Sequence, residues 1–145
     1  MKIMNKLCTT LAVLLIAATS VTAQSVLGKW KTIDDNTGVA KSIVEIYEQD
    51  GKVYGKVAEI LNEDRVDAVC TECEGDDKDK PILGLVIIRG LEKDGDEYND
   101  GKILDPESGT LYKCYIELEE PNKLKVRGYV GFSLLGRTQY WLRAE

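Results

Sequence analysis

Histidine is absent from this chain of 145 residues. Its absence excludes serine and cysteine triads that use a histidine base, HExxH zinc sites and haem held through histidine. Basic charge is also scarce, because 19 Lys and Arg residues stand against 25 Asp and Glu residues and give a net charge of −6. A chain without a basic excess is not expected to bind nucleic acid.

Long apolar runs are missing too. The longest, residues 11–18 (LAVLLIAA), is shorter than the ~20 residues that a membrane span requires. Two lysines precede this run, and small residues at 21–23 follow it, which is the pattern of a secretory signal peptide. We predict cleavage after Ala23 and an exported protein, periplasmic or secreted, with a signal peptide at 1–23. Residues 24–145 then form a single domain with no membrane span.

A sustained helical period of apolar residues is the next absence. The apolar stretches are instead short, mostly alternating and separated by turn residues, which is typical of strands. We predict strands at 28–33, 41–48, 53–61, 83–91, 111–119, 123–130 and 135–143, with turns that include 93–96 and 99–101. The only helix expected is a turn or two in the loop that carries two cysteines. Seven or eight strands joined by tight turns predict a sandwich or a closed barrel, and sequential hairpins favour an all-β, antiparallel up-and-down barrel.

Three cysteines remain after the predicted cleavage. Cys70 and Cys73 form a CxxC pair that can be a redox site, part of a zinc site or a local disulfide. The acidic loop around them lacks the helix that a redox pair opens, and no histidine completes a zinc site, so we favour a disulfide that pins the loop. Alternation along its strand predicts that Cys114 is a buried core thiol. No metal and no cofactor are expected.

The first and last predicted strands carry complementary residues. Gly28 and Trp30 open the first strand, and Arg143 ends the last. These strands are neighbours in a closed barrel, so an arginine from the last strand can lie over the Trp30 indole and bond the chain end. This pairing resembles the Gly-x-Trp and late arginine signature of lipocalin-like barrels. The resemblance implies a structural role for Gly28, Trp30 and Arg143, in which they plug one end of the barrel.

A glycine-rich stretch near the end of the chain carries the candidate ligand site. We predict that Arg127, Tyr129, Arg137 and Gln139 line the mouth of a pocket, where arginines can take a carboxylate or phosphate. The alternative is a hairpin whose arginines neutralise an acidic surface. Asp105 and Glu107 offer a carboxylate pair for acid–base chemistry, but their setting (DPESG) favours a turn. With no catalytic residues assigned, the protein is not expected to be an enzyme.

Several longer blocks occur in order along the chain. They are GKWKTIDDNTGVAKSIVEIYEQDGKVYGKV, PILGL, GKILDPESGTLYKCYI, LKVRGYVG and LLGRTQYW. Together they resemble the exported bacterial family labelled domain of unknown function 2147, over essentially the whole of residues 24–145. The resemblance implies a small periplasmic or secreted β-barrel similar to lipocalins, and it implies no activity. Cys70 and Cys73 look like the loop cysteines of one branch of that family, and Cys114 holds a shared Tyr-x-Cys position.

The sequence therefore predicts a binding module, a lipocalin-like barrel for a small apolar or amphipathic ligand. The alternative is a filled structural barrel that acts as an interaction protein of the cell envelope. Eight strands enclose an interior that holds side chains or one small ligand. The predicted interior residues are Val44, Ile46, Val53, Val57, Tyr112, Ile116, Val126 and Tyr140.

Overall fold

The computed structural model describes residues 25–144, and the predicted signal peptide, residues 1–23, lies outside the described residues. Eight antiparallel strands pair in sequence order and close into a barrel. The strands are β1 (Gly28–Ile33), β2 (Ala40–Gln49), β3 (Lys52–Ile60), β4 (Val86–Asp94), β5 (Glu97–Asp105), β6 (Thr110–Glu120), β7 (Lys123–Tyr129) and β8 (Gly136–Arg143). The predicted all-β up-and-down barrel is confirmed. Between Ser25 and Ala144 no helix is long and apolar enough to cross a membrane.

The two ends of the barrel differ in their connections. At one end, which we call the turn end, two-residue turns join β2 to β3, β4 to β5 and β6 to β7. Asp50 and Gly51 both have positive φ in the first of these turns, as a tight hairpin requires, so the predicted hairpin there is confirmed. At the other end, the loop end, the connections are longer and span residues 34–39, 61–85, 106–109 and 130–135.

Strand β5 differs from the sequence prediction. Residues 99–101 were expected to form a turn, and this prediction is wrong because β5 continues through them. Asp100 adopts a positive φ of 59°, and the register with β6 shifts there, so these residues form a bulge inside the strand. Gly101 is needed beside the bulge, because a Cβ there would lie 2.4 Å from the carbonyl oxygen of Arg89. Turn-forming residues therefore bend this strand and do not end it.

The connection between β3 and β4, residues 61–85, is the longest loop, and we call it the cysteine loop. It contains two short 3-10 helices, Glu63–Arg65 and Gly75–Asp77, in agreement with the turn or two expected there. Strand β4 begins at Val86 and not at the predicted residue 83. Gly84, with a φ of 88°, turns the chain first. The Cys70–Cys73 disulfide lies in this loop, and both of its cysteines are buried.

The barrel interior is packed with aliphatic and aromatic side chains. Six of the eight predicted interior residues are buried: Val44, Ile46, Val53, Val57, Ile116 and Val126. Tyr112 is half-buried on the same face of β6 as Ile116. The prediction for Tyr140 is wrong, because its neighbour Trp141 is buried and Tyr140 itself lies on the outer face, 43% exposed. Cys114 is fully buried, as predicted, and burial raises the pKa of its thiol from 9.0 to about 12.

Trp30, Arg143 and the segment before β1 close the turn end. The buried indole of Trp30 donates to the carbonyl of Val26 at 2.8 Å, and the Arg143 guanidinium lies 4.2 Å from the ring centroid of Trp30. Arg143 also donates to the carbonyls of Ser25 at 2.8 Å, Leu27 at 3.3 Å and Pro121 at 3.1 Å. One side chain thus joins the segment before β1, the β6–β7 turn and the last strand.

We expect Arg143→Ala to destabilise the fold by about 2–4 kcal/mol, because it removes both the cation–π contact and the fork of donors. Arg143→Lys keeps the charge but not the planar fork, so we expect roughly half of that loss. Urea unfolding followed by tryptophan fluorescence measures both variants. Arg65→Ala, in an exposed 3-10 helix, is the control and should change stability by less than about 0.5 kcal/mol. Wild-type stability in Arg143→Ala would show that this fork does not hold the barrel end together.

The buried thiol predicts a pH dependence. Above pH 9 the unfolded chain releases the Cys114 proton, whereas the folded protein keeps it up to about pH 12, so folding loses stability as the pH rises. Between pH 8 and pH 10 we expect the wild type to lose about 1 kcal/mol more than Cys114→Ala. Urea unfolding at both pH values measures this difference. Equal losses in the two proteins would mean that the thiol is not buried as described.

Candidate functional site

The loop end carries a polar cluster at the start of β8. Arg137 and Gln139 lie on the same face of β8 as the buried Trp141, and therefore point toward the barrel axis. Arg137 forms an ion pair with Asp35, which lies in the β1–β2 connection. Gln139 donates to the same Asp35 carboxylate at 3.4 Å and accepts from the Trp141 indole at 3.2 Å. The cluster thus connects an exposed ion pair to the packed core.

A hydroxyl pair lies on the neighbouring strands. The side chains of Thr32 and Ser42 are 2.7 Å apart, and both are half-buried. Thr32 shares its face of β1 with Trp30, so this pair also belongs to the interior face. The inner rim of the loop end is therefore polar on the side formed by β8, β1 and β2.

The opposite side of the inner rim is apolar. Ile103 and Tyr112 are half-buried on β5 and β6. A Cβ added at Gly128 would lie 3.3 Å from Ile103 and 3.4 Å from Tyr112, so both side chains fill the space that this glycine leaves. Interior residues such as Cys114, Ile116 and Val126 are fully buried in the middle of the barrel, whereas those at the loop end are only partly buried. The loop end is thus a shallow cup with one polar and one apolar side, above a packed core.

The four predicted ligand residues do not share one face. Arg127 lies on the outer face of β7, where it donates to the Ser133 carbonyl at 2.8 and 2.6 Å and to the Thr138 hydroxyl at 2.7 Å. Tyr129 is on the same outer face, and its ring centroid is 6.3 Å from that of Tyr115. Only Arg137 and Gln139 point into the cup. That any of these four residues contacts a ligand stays a prediction.

Two cavities lie outside the barrel, against the cysteine loop. One, of about 370 Å³, is lined by Asp77, Lys80, Arg89 and residues 81 and 83–86. The other, of about 310 Å³, lies between the cysteine loop and the β5–β6 turn. Arg89 bonds Asp77 at 2.9 Å in the first cavity, and this bond holds the pKa of the Asp77 carboxyl below its ordinary value. The ion pair ties the loop to β4, which is a structural role.

The Asp105–Gly109 segment forms a turn, as favoured from the sequence. The Asp105 carboxylate accepts from the backbone N–H of Glu107 at 2.9 Å and from the Ser108 hydroxyl at 3.0 Å. Glu107 pairs with Lys41 at 2.9 Å. Asp105 is thus used within the turn, and Glu107 joins the turn to β2. Across residues 25–144 no group of three or more Cys, Asp and Glu side chains is placed to hold a metal ion.

Sequence reasoning missed two features of the loop end. Asp35, the partner of Arg137 and Gln139, sits in a turn cluster of similar polar residues, and no local signal distinguishes it. The β7–β8 connection was considered for its glycines, yet it exposes four large apolar side chains: Val130, Phe132, Leu134 and Leu135. A run of apolar residues between turn glycines, where loops are normally polar, was the signal that could have revealed it.

Comparisons with known proteins agree with this geometry. Residues 28–143 match the model of a family described as uncharacterized protein conserved in bacteria, DUF2147. The chain belongs to the DUF2147 family. The match spans the barrel from the first residue of β1 to the last of β8, so the resemblance drawn from the sequence is confirmed. No curated protein matches the chain.

A solved structure is similar to this DUF2147 protein in fold. It is described as protein HP1028 from the human pathogen Helicobacter pylori, which belongs to the lipocalin family. The two share 18% sequence identity with a TM-score of 0.75, and the alignment covers 85% of each chain. At this identity the likeness shows a lipocalin-like fold and does not transfer a ligand.

The contact between the cysteine loop and the β5–β6 turn predicts a contrast between two glycines. Gly109 and Gly131 both have a φ of 72°, but a Cβ at Gly109 would lie 1.9 Å from the Glu72 carbonyl oxygen, whereas one at Gly131 meets nothing within 4 Å. Both alanine variants lose about 1 kcal/mol from the backbone conformation. We expect Gly109→Ala to lose at least about 2 kcal/mol more, measured by urea unfolding. Equal losses would show that the cysteine loop does not dock on this turn.

Proposed function

We propose that this protein binds a small amphipathic molecule at the loop end of its barrel. The observation that carries the proposal is the two-sided cup, in which Arg137 and Gln139 face the half-exposed Ile103 and Tyr112 across the rim. An arginine fork suits a carboxylate or phosphate, and the apolar side suits a hydrocarbon tail. The core below is packed, so the ligand lies near the rim and not deep in the barrel.

Asp35 competes with such a ligand. Its carboxylate pairs with Arg137, so an anionic head group that binds Arg137 displaces it. Asp35 thus acts as an internal stand-in for the ligand and keeps the arginine oriented toward the cup. Removal of Asp35 and removal of Arg137 should therefore have opposite effects on affinity.

We further propose that the protein is exported after cleavage behind Ala23. The charged and apolar pattern of residues 1–23 supports this, and so does the Cys70–Cys73 disulfide, because disulfides persist in oxidising compartments. Export places the barrel among lipids and other amphiphiles of the cell envelope or outside the cell.

A filled barrel that works as an interaction protein of the envelope is the second candidate function. The observation that favours it is the fully packed core together with exposed apolar side chains in the β7–β8 connection. Mass spectrometry of small molecules extracted from protein purified from its own cells distinguishes the two. A near-stoichiometric amphiphile supports ligand binding, and an empty extract supports the filled barrel.

Affinity for a fluorescent long-chain carboxylate tests the role of the cup. We expect Arg137→Ala to weaken binding at least about tenfold, because it removes a charge-assisted hydrogen bond. Asp35→Asn should strengthen binding, since it removes the carboxylate that competes with the ligand. Arg65→Ala, which removes a positive charge elsewhere at the loop end, is the control and should leave the affinity unchanged. Unchanged affinity in Arg137→Ala would contradict the proposed site.

A further inference from the structure

The β7–β8 connection exposes apolar side chains at its tip. In residues 130–135, which we call the hairpin tip, Leu134 is 83% exposed and Phe132 is 61% exposed, with Val130 and Leu135 at similar values. Exposing leucine and phenylalanine side chains together in a six-residue loop is costly in water. The cost falls when the tip contacts an apolar phase.

Four of the six backbone carbonyls in the hairpin tip already accept a hydrogen bond. The backbone N–H of Val130 donates to the Leu135 carbonyl across the loop at 2.9 Å. The backbone N–H of Leu135 donates to the Phe132 carbonyl at 3.1 Å. Two further carbonyls accept hydrogen bonds from basic side chains. Lys113 donates to the Gly131 carbonyl at 3.0 Å, and Arg127 donates to the Ser133 carbonyl at 2.8 and 2.6 Å. Backbone carbonyls must be satisfied before a segment enters lipid.

The charge around the hairpin tip is positive, although the chain is acidic. The basic residues beside it are Lys113, Arg127 and Arg137, of which Arg137 pairs with Asp35. Residues 121–144 contain no Asp or Glu, and their other three basic residues lie farther toward the turn end: Lys123, Lys125 and Arg143. The outward-facing tyrosine nearest the tip is Tyr129, which lies opposite Lys113 on the neighbouring strand, with its ring centroid 6.3 Å from that of Tyr115. Basic residues together with aromatic side chains are typical of segments that lie at an anionic membrane surface.

The strand order places acidic and basic residues on opposite sides of the loop end. The cysteine loop, with eight Asp and Glu residues against three Lys and Arg residues, emerges between β3 and β4. In a closed barrel of eight strands this position is across the axis from the β7–β8 connection. An anionic surface therefore repels one side of the loop end and attracts the other, which turns the hairpin tip toward it.

We propose that the hairpin tip inserts into the surface of an anionic lipid membrane, with Phe132 and Leu134 among the acyl chains and Lys113 and Arg127 at the level of the phosphates. This inference goes beyond the proposed ligand site, since it names a lipid surface as a partner of the barrel. It holds whether or not the cup takes a ligand, because the apolar side chains of the tip are exposed without one.

Sedimentation with lipid vesicles tests the proposal. The protein is purified from its own cells, and its intact mass is checked so that all variants share one N-terminus. We expect binding to vesicles that contain phosphatidylglycerol, weaker binding to pure phosphatidylcholine, and a decline with added salt. The double variant Phe132→Ser, Leu134→Ser should bind at least about tenfold more weakly.

A matched control removes apolar surface elsewhere at the same end. Val66→Ser, Leu83→Ser changes two exposed residues of the cysteine loop and should leave vesicle binding unchanged. Phe132→Trp adds a direct reporter, because Trp30 and Trp141 are buried and only the new indole should shift its emission to the blue when anionic vesicles are added.

Four outcomes would overturn the inference. In the first two, the folded wild type fails to bind vesicles, or it binds neutral and anionic vesicles equally. In the third, the two double variants lose the same amount of binding. In the fourth, the wild type self-associates through the tip, and the double variant Phe132→Ser, Leu134→Ser does not. None of these affects the carboxylate affinity measured for Arg137→Ala in solution. Failure of this inference is thus distinguishable from failure of the proposed ligand site.

Discussion

The barrel depends on the seam between its first and last strands. Strands β1 and β8 pair only at Trp30 with Arg143 and at Lys31 with Leu142. Every other pair of neighbouring strands in the described barrel has a longer ladder. Every other pair is consecutive in sequence, and all of these except β3–β4, which the cysteine loop joins, are connected by a short turn or loop. The β1–β8 seam instead joins the two ends of the domain. Arg143 compensates for the short ladder, because it covers the Trp30 indole and bonds three backbone carbonyls. An open seam would leave two sheet edges exposed.

Closing one end in this way makes the barrel asymmetric. The turn end is occupied by Trp30, Val26 and Arg143, and the long connections lie at the loop end. There the interior side chains become half-exposed, and Arg137 with Gln139 meets Asp35. The packing of the core thus limits a bound molecule to the rim.

The strand order also separates acidic from basic residues, a separation that the net charge does not reveal. A net charge of −6 suggests a uniformly acidic protein, but the acidic cysteine loop and the basic β7–β8 hairpin lie across the barrel axis from each other. The loop end therefore has an acidic side and a basic side, and the exposed hairpin tip belongs to the basic one. A surface that approaches this end meets a protein with a preferred orientation.

The sequence by itself determined the all-β class, the hairpin order, the buried Cys114 and the pairing of Trp30 with a late arginine, because alternation and turn chemistry act over a few residues. The tertiary structure decided which residues share a face. The bulge at Asp100 lets β5 continue through a predicted turn, and Tyr140 lies on the outer face of β8. Arg127 and Tyr129 lie on the outer face of β7, whereas Arg137 and Gln139 lie on the inner face of β8. A shift of one residue reverses every side chain of a strand, and barrel closure, not local sequence, fixes that register.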